Sequence, residues 1–280
     1  MPAPRLMAVL AHPDDESLGF GGSLAKSALE GAEVYLVTAT RGEAGRYQGI
    51  RPGEPGHPGV AGLAGIREAE LQAASAALGV REVALLDYRD QHLDRAEPRE
   101  AVSLIAAHVR RIRPDVVLTF GPDGGYGHPD HIAISQFTTA ALIAAADPAF
   151  TTGDVQGARP HAVSKLYYLA WPASTYAAYQ AAFTTLSATV DGVERHAVPW
   201  PDWAITTVID TRALAATVWR AVSCHASQIT GYQRLLGLSP EHQESLWSSQ
   251  FFYRVFSTVN GGRARETDLF DGIGQGKREA

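Results

Sequence analysis

A single cysteine, Cys224, occurs in 280 residues, so the chain can form no intrachain disulfide and no multi-cysteine metal site. That fits a reducing compartment. A long apolar run is also missing. The longest candidate near the start, Leu6 to Ala11, is far shorter than a signal-peptide core or a membrane span. The expectation is a cytoplasmic, unprocessed chain with no membrane span. Positive charge is in deficit, with a formal net charge of −6. A nucleic-acid-binding surface normally shows as a basic patch or a high pI, so no nucleic acid is expected as a partner. The one basic cluster, Arg110, Arg111 and Arg113, falls near the end of an expected helix and there complements the helix dipole. What is present is ordinary for a globular protein: 45% apolar and 19% charged residues. A chain of this size buries roughly three quarters of its unfolded surface and needs no staple.

The apolar run Leu6 to Ala11 reads as a buried strand. A helix is expected over His12 to Glu30, with Pro13 in its first turn and Gly31 at its end. Val34 to Thr40 is the second strand, and Gly42 to Gly65, rich in Gly and Pro, a long functional loop. Ile66 to Leu78 (helix), Glu82 to Leu86 (strand), Pro98 to about Arg113 (helix), Asp115 to Phe120 (strand) and Pro129 to Ala146 (helix) follow. Such alternation means an α/β, Rossmann-like, mostly parallel sheet with helices on both faces. After Asp147 the pattern is less regular, with strands expected at Val163 to Ala170, Ile205 to Ile209 and Phe251 to Val259 and helices at Thr211 to Ser223 and Pro240 to Ser248. No repeat or linker is visible. One domain over residues 1–265 is expected, with a polar tail at 266–280 and fraying from about Gly261.

Two short clusters carry chemistry. Ala11-His12-Pro13-Asp14-Asp15-Glu16 falls where the first strand ends, the place where open parallel sheets bind ligands. His12 and Asp15, three residues apart, share a face of an incipient helix, and imidazole nitrogen and carboxylate oxygen are both good zinc ligands. Asp14 between them lies beside such a metal without having to bind it. Proline followed by acidic residues is also an ordinary helix start, but that does not account for the histidine. Gly127-His128-Pro129-Asp130-His131 repeats the pattern after the strand Val116 to Phe120. Two histidines flanking an acid suit a metal ligand and a proton-transfer partner. Together the clusters offer three ligands and leave one position for water, the pattern of a catalytic zinc.

Rival chemistries are less well supported. The glycines after the first strand, Gly19, Gly21 and Gly22, sit inside the expected helix, with Leu24 where a dinucleotide fingerprint needs glycine. That weakens a nucleotide-binding oxidoreductase, and close helix packing explains those glycines better. Gly121 to Gly127 lacks the Gly-Lys-Ser/Thr ending of a phosphate loop. Gly21-Gly-Ser23-Leu-Ala25 is a degenerate nucleophile elbow. Cys224 beside His225 reads as packing rather than as a thiol nucleophile. A non-catalytic sugar-binding module on the same fold is the remaining alternative.

His12-Pro-Asp-Asp-Glu16 together with Gly127-His-Pro-Asp-His131 resembles the LmbE-like, or PIG-L, family of zinc-dependent de-N-acetylases. The family includes enzymes acting on N-acetylglucosaminyl inositol lipids and on mycothiol and bacillithiol precursors. The likeness extends to Thr40-Arg41-Gly42-Glu43, Arg67-Glu68, Asp90 and Arg113-Pro114-Asp115, and weakly to His225-x-Ser227-Gln228. It implies a zinc ion (Fe2+ being an alternative) held by His12, Asp15 and His131. It further implies Asp14 as general base, His128 as general acid or electrostatic partner, and Asp130 as the carboxylate orienting a histidine. Arg67 and Asp90 correspond to positions that hold the sugar, and Tyr126 to a mobile tyrosine near the oxyanion.

The implied reaction is removal of an N-acetyl group from an amino sugar, since zinc lowers the pKa of bound water from about 15.7 toward about 7. A small N-acetylated sugar is thus the expected partner, and a homo-oligomer is compatible with the sequence. The aromatics Tyr167, Tyr168, Trp171, Tyr176, Tyr179, Phe183, Trp200 and Trp203 either line the site or fill the core, with Trp200-Pro201-Asp202-Trp203 as the candidate rim. His57, His92, His108, His161, His196 and His242 have no ligand spacing and read as surface or structural.

Overall fold

A computed structural model describes residues 2–152, 159–183, 187–190, 192–262 and 264–274. The first half alternates strand and helix: β1 (Arg5–Leu10), α1 (Asp15–Leu18), α2 (Gly21–Leu29), β2 (Glu33–Thr40), α3 (Gly59–Ala77), β3 (Glu82–Tyr88), α4 (Pro98–Ile112), β4 (Val116–Thr119), α5 (Gly124–Gly127) and α6 (Pro129–Ala146). The second half adds β5 (Lys165–Leu169), α7 (Ala173–Phe183), a hairpin of β6 (Ser187–Val190) and β7 (Val193–His196), then β8 (Thr207–Asp210), α8 (Ala215–Cys224), α9 (Ile229–Leu236), α10 (Pro240–Trp247) and β9 (Ser249–Ser257).

Seven strands form one sheet in the order β3-β2-β1-β4-β5-β9-β8. Strands β1 to β5 are parallel, whereas β9 runs antiparallel to both β5 and β8. The central strands are largely apolar, as strands covered on both faces are. Leu6, Met7, Ala8, Val9 and Leu10 of β1 are fully buried, as are Val116, Val117 and Leu118 of β4. Helices α4 and α6 pack on each other, while α2 and α3 both pack against α8. The chain leaves β1 toward β2 and leaves β4 toward β5, so the crevice between the carboxyl ends of β1 and β4 is the topological switch point.

Three expectations need correction. The helix expected over His12 to Glu30 is two short helices, because Asp14 takes a left-handed conformation (φ 111°) and Phe20 leaves helical geometry (ψ −5°). A Cβ on Gly22 would lie 2.6 Å from Thr211, so this glycine does serve close packing. The loop after β2 is shorter than expected, since α3 already starts at Gly59 and accommodates Gly62 and Gly65. Where it is described, the tail from residue 264 to residue 274 is tied to the body rather than frayed. Glu266 is 4% exposed, and its carboxylate accepts from Lys165 Nζ (2.8 Å), Tyr167 Oη (2.8 Å), Thr207 Oγ1 (2.9 Å) and Asn260 Nδ2 (2.7 Å). Leu269 is buried beside it, so the segment from Glu266 belongs to the domain as far as it is described.

The basic cluster also differs from expectation. Arg110 is buried and donates to the carbonyls of Ala144, Ala145 and Asp147, capping the end of α6 rather than its own helix. Arg111 pairs with Glu82.

Candidate metal centre

The turn after β1 presents His12, and Asp15 on α1 folds back over it. Asp15 Oδ2 accepts from the backbone N–H groups of Ala11 (3.2 Å) and His12 (2.8 Å). Those bonds fix the carboxylate and leave Oδ1 3.3 Å from His131 Nε2. Proline at the first position of α6 and the His128 side chain as its N-cap start that helix cleanly, so His131 is carried on a regular turn. Phe120 stacks on the His131 ring at 3.9 Å. His12 Nδ1 lies 3.1 Å from His131 Nε2 and 3.7 Å from Asp15 Oδ2. Ligand atoms bound at 2.0–2.1 Å around a tetrahedral zinc stand roughly 3.3 Å apart, so these separations suit one ion.

The partners of the other ring nitrogens decide where the protons sit. His12 Nε2 faces Asp130 Oδ2 at 3.1 Å and Asp90 Oδ1 at 3.2 Å, and so carries hydrogen. His131 Nδ1 donates to the Gly124 carbonyl at 3.1 Å. In the neutral form that binds a metal, the two rings therefore turn lone pairs toward each other beside a carboxylate, and only a cation, a metal ion or a proton, relieves that arrangement. Two imidazoles and one carboxylate form a donor set suited to zinc or another borderline divalent ion. Burial on its own would lower the pKa of His12, but Asp130, Asp90 and Asp15 outweigh it and hold it well above the usual value. Burial likewise opposes ionisation of Asp15, yet His131 and His12 keep this carboxyl well below the ordinary range. A centre that accumulates acceptors and negative charge in this way is built for a cation.

Asp14 lies between His12 and Asp15 in the same turn. Its backbone N–H donates to Glu16 Oε2 at 2.9 Å, and its carboxylate pairs with Arg67 Nη2 at 2.9 Å. Arg67 also donates to the Pro13 and Gly42 carbonyls. Gly42 is required here, because its φ is 64° and a Cβ would stand 1.9 Å from Arg67 Nη1. His128 Nδ1 accepts from the Asp130 N–H at 3.2 Å, so its proton sits on Nε2. Burial, then the nearby His12 and His131, push the His128 pKa down to about 3. The ring of Tyr126 stands 5.3 Å from His131 and 5.8 Å from His128. Glycines with positive φ surround it at 124, 125 and 127. Burial and the charges of Asp15 and Asp14 raise its pKa, so the phenol keeps its proton.

All nine side chains singled out in the sequence lie in or against this crevice, but two are placed differently from expectation. Arg67 and Asp90, expected to grip the sugar, are 5% and 4% exposed. Arg67 holds Asp14, while Asp90 backs His12 with a pKa near 2, where burial is overcome by the imidazole. Asp130 also backs His12, and accepts from the N–H groups of Gln91 (2.7 Å) and Leu93 (3.0 Å).

Sequence reasoning missed several supports. Glu43 accepts from the Asp90 N–H, and Trp200 Nε1 donates to Asp123 in the glycine-rich turn. Glu16 and His225, both fully buried, meet at 2.7 Å. The weak echo at His225-x-Ser227-Gln228 was the signal for that pair, and Ser227 and Gln228 tie to Glu70 and to the Arg46 carbonyl. The rivals fare poorly. Ser23 is buried within α2, burial raises the pKa of the half-buried Cys224 thiol, and the neighbouring His225 is committed to Glu16. Tyr167 and Tyr179 are core residues, and of the candidate rim Trp203 is 83% exposed.

A donor set of this kind, at the switch point of a Rossmann-like sheet with an acid alongside, could hold the divalent cation of an enzyme that activates water. The profile of the family described as PIG-L, GlcNAc-PI de-N-acetylase, matches residues 7–142. The 1D-myo-inositol 2-acetamido-2-deoxy-alpha-D-glucopyranoside deacetylase of Rhodococcus erythropolis is 35% identical over 97% of this chain and 98% of its own. The protein of that name from Streptomyces avermitilis is 34% identical over 98% of both chains. The chain belongs to the PIG-L family of deacetylases. Among solved structures, N,N'-diacetylchitobiose deacetylase from Pyrococcus horikoshii matches with a TM-score of 0.66 at 20% identity, over 90% of this chain and 84% of that one. GalB, the 4-carboxy-2-hydroxymuconate hydratase of Pseudomonas putida, matches with a TM-score of 0.69 at 20% identity, over 93% and 100%. These two share the fold, and a hydratase on it means that the site, rather than the fold, selects the reaction. Among the described residues no helix is long and apolar enough to cross a membrane.

Proposed function

We propose that this chain is a zinc-dependent deacetylase that removes the N-acetyl group of an N-acetylglucosaminyl conjugate, with an inositol aglycone as the first candidate. The opposed lone pairs of His12 and His131, 3.1 Å apart beside Asp15, carry the metal part of this reading. The names of the relatives matched over nearly the whole chain support the substrate class. His12, Asp15 and His131 would hold the ion. When bound, it supplies Lewis acidity that eases ionisation of water and polarises an amide carbonyl.

The protein's own groups do the rest. Asp14, held by Arg67 at the edge of the centre, takes the proton of the attacking water and delivers it to the departing amine. His128, neutral with its proton on Nε2, donates to the carbonyl oxygen as that oxygen gains charge, and the protonated Tyr126 is the second donor. Asp130 and Asp90 fix the tautomer of His12 from behind. A cytoplasmic setting is part of this reading and suits the single cysteine.

Metal analysis followed by acetate release tests it, using N-acetylglucosamine, its oligomers, N-acetylglucosaminyl malate and N-acetylglucosaminyl inositol. The expected result is close to one metal per chain and acetate from the inositol conjugate. A metal-loaded protein that releases acetate from none of the four is a sugar-binding module, and the catalytic reading fails.

A further inference from the structure

Asp14 is held in a conformation it would not choose. Its φ of 111° and ψ of −26° lie in a left-handed region that non-glycine residues rarely occupy. Such a conformation persists only when its surroundings over-determine it. The Asp14 carbonyl accepts from the N–H groups of Ser17 (3.1 Å) and Leu18 (3.0 Å), which starts α1. Its N–H meets Glu16 Oε2 at 2.9 Å. The other oxygen of Glu16 accepts from His225 Nε2 at 2.7 Å and from Ser17 Oγ at 2.5 Å. Glu16 and His225 are both 0% exposed and lie 209 positions apart in the chain. The second half of the molecule, which supplies none of the ligand atoms, thus reaches the site through this contact.

A buried ion pair contributes little net stability, and a well-packed apolar pair often does as well or better. An apolar pair cannot accept the Asp14 N–H. The geometry points to Glu16 and His225 as positioning residues for Asp14: His225 aims the Glu16 carboxylate, and Glu16 anchors the Asp14 backbone in its left-handed turn. The inference rests on the reading of Asp14 as the proton-transfer group. That group is gripped at both ends, by Arg67 at the carboxylate and by Glu16 at the amide. Loosening one grip displaces the acid by fractions of an ångström, and a displacement near 1 Å can cost about 10²-fold in rate.

The decisive variant is the double change Glu16→Leu with His225→Leu, which leaves no unpaired charge in the interior. In the metal-loaded enzyme kcat should fall at least about tenfold, with KM within about twofold of wild type. Zinc content and Tm should stay near the wild-type values. Introduced into Asp14→Ala, the same double change should lower the residual kcat no further, because the two act through one group. A kcat equal to wild type, or an equal fold-loss with and without Asp14, overturns the inference. Should the Leu pair not fold, Glu16→Gln alone, which keeps His225 as a partner for the new amide NH2, decides. Its neutral amide oxygen still accepts the Asp14 N–H, so kcat should lie within about threefold of wild type. A tenfold loss in that folded, zinc-loaded variant also overturns the inference. Asp14→Ala separates the two claims: full activity there removes the proton-transfer reading itself. Loss there with a fully active Leu pair removes only the role of Glu16 and His225.

Discussion

The two His-Pro-Asp turns share their letters but not their backbones. In the second, Pro129 opens α6 as a regular helix, His128 caps it, and Asp130 and His131 ride on its first turn. In the first, Pro13 opens no helix: Asp14 turns left-handed, α1 lasts from Asp15 to Leu18, and the carboxylates of Asp15 and Glu16 reach back to satisfy main-chain donors. The second turn carries its ligand on its own helix, and the ring is fixed by near neighbours in the chain, the Gly124 carbonyl and the Phe120 ring. The first depends on Arg67 from α3, Gly42 from the loop after β2 and His225 from the end of α8. A ligand can be mounted on a helix, whereas a proton carrier beside the metal had to be forced into place.

The largest effects sharpen this contrast. His131→Ala should abolish activity together with bound zinc, measured by metal analysis of the dialysed protein. Asp14→Ala should cost about 10²–10⁴-fold in kcat and keep the metal, because proton-transfer groups are worth about that much. Equal metal loss in both would erase the division between the turns. His128→Gln should lower kcat by about 10²–10³-fold, as for removal of an oxyanion donor. The pKa of His128 near 3 means that the ring is protonated only below that pH. Its replacement should therefore leave any acid limb of the kcat profile between pH 5 and 8 where it was, and a limb that vanishes with His128 would show that it titrates there. Gly42→Ala strains a positive φ and collides with Arg67, so it should loosen the first turn alone. About a tenfold loss of kcat with full zinc content is expected. Smallest is Pro129→Ala at the start of α6, expected to lower Tm by about 2 °C with kcat within twofold.

Much of the second turn was legible in the sequence, because it follows local rules. The helix expected over Pro129 to Ala146 is the helix observed, bounded by a proline at its start and Asp147 at its end. The first turn was legible as chemistry but not as geometry. Nothing local says that Asp14 adopts φ 111°, since the causes are partners far along the chain, Arg67 53 positions away among them. Arg67 and Asp90 were found as site residues, yet their partners were not, because burial of a charge against a specific neighbour leaves no periodic trace. Gly59, Gly62 and Gly65 concealed the first turns of α3, where propensity argues against helix and packing overrides it. In the second half, α7 reads ASTYAAYQAAF, with no polar stripe to mark a face, so periodicity had nothing to detect.

The clasp between Glu266 and Lys165 bears on how the molecule can be handled. Lys165 begins β5, fully enclosed, and Arg254 also leans on the same carboxylate at 2.9 Å. A chain trimmed at residue 265, where the sequence pattern placed the end of the domain, would strand an ammonium group in a dry interior. Truncation there should yield aggregates rather than a leaner enzyme.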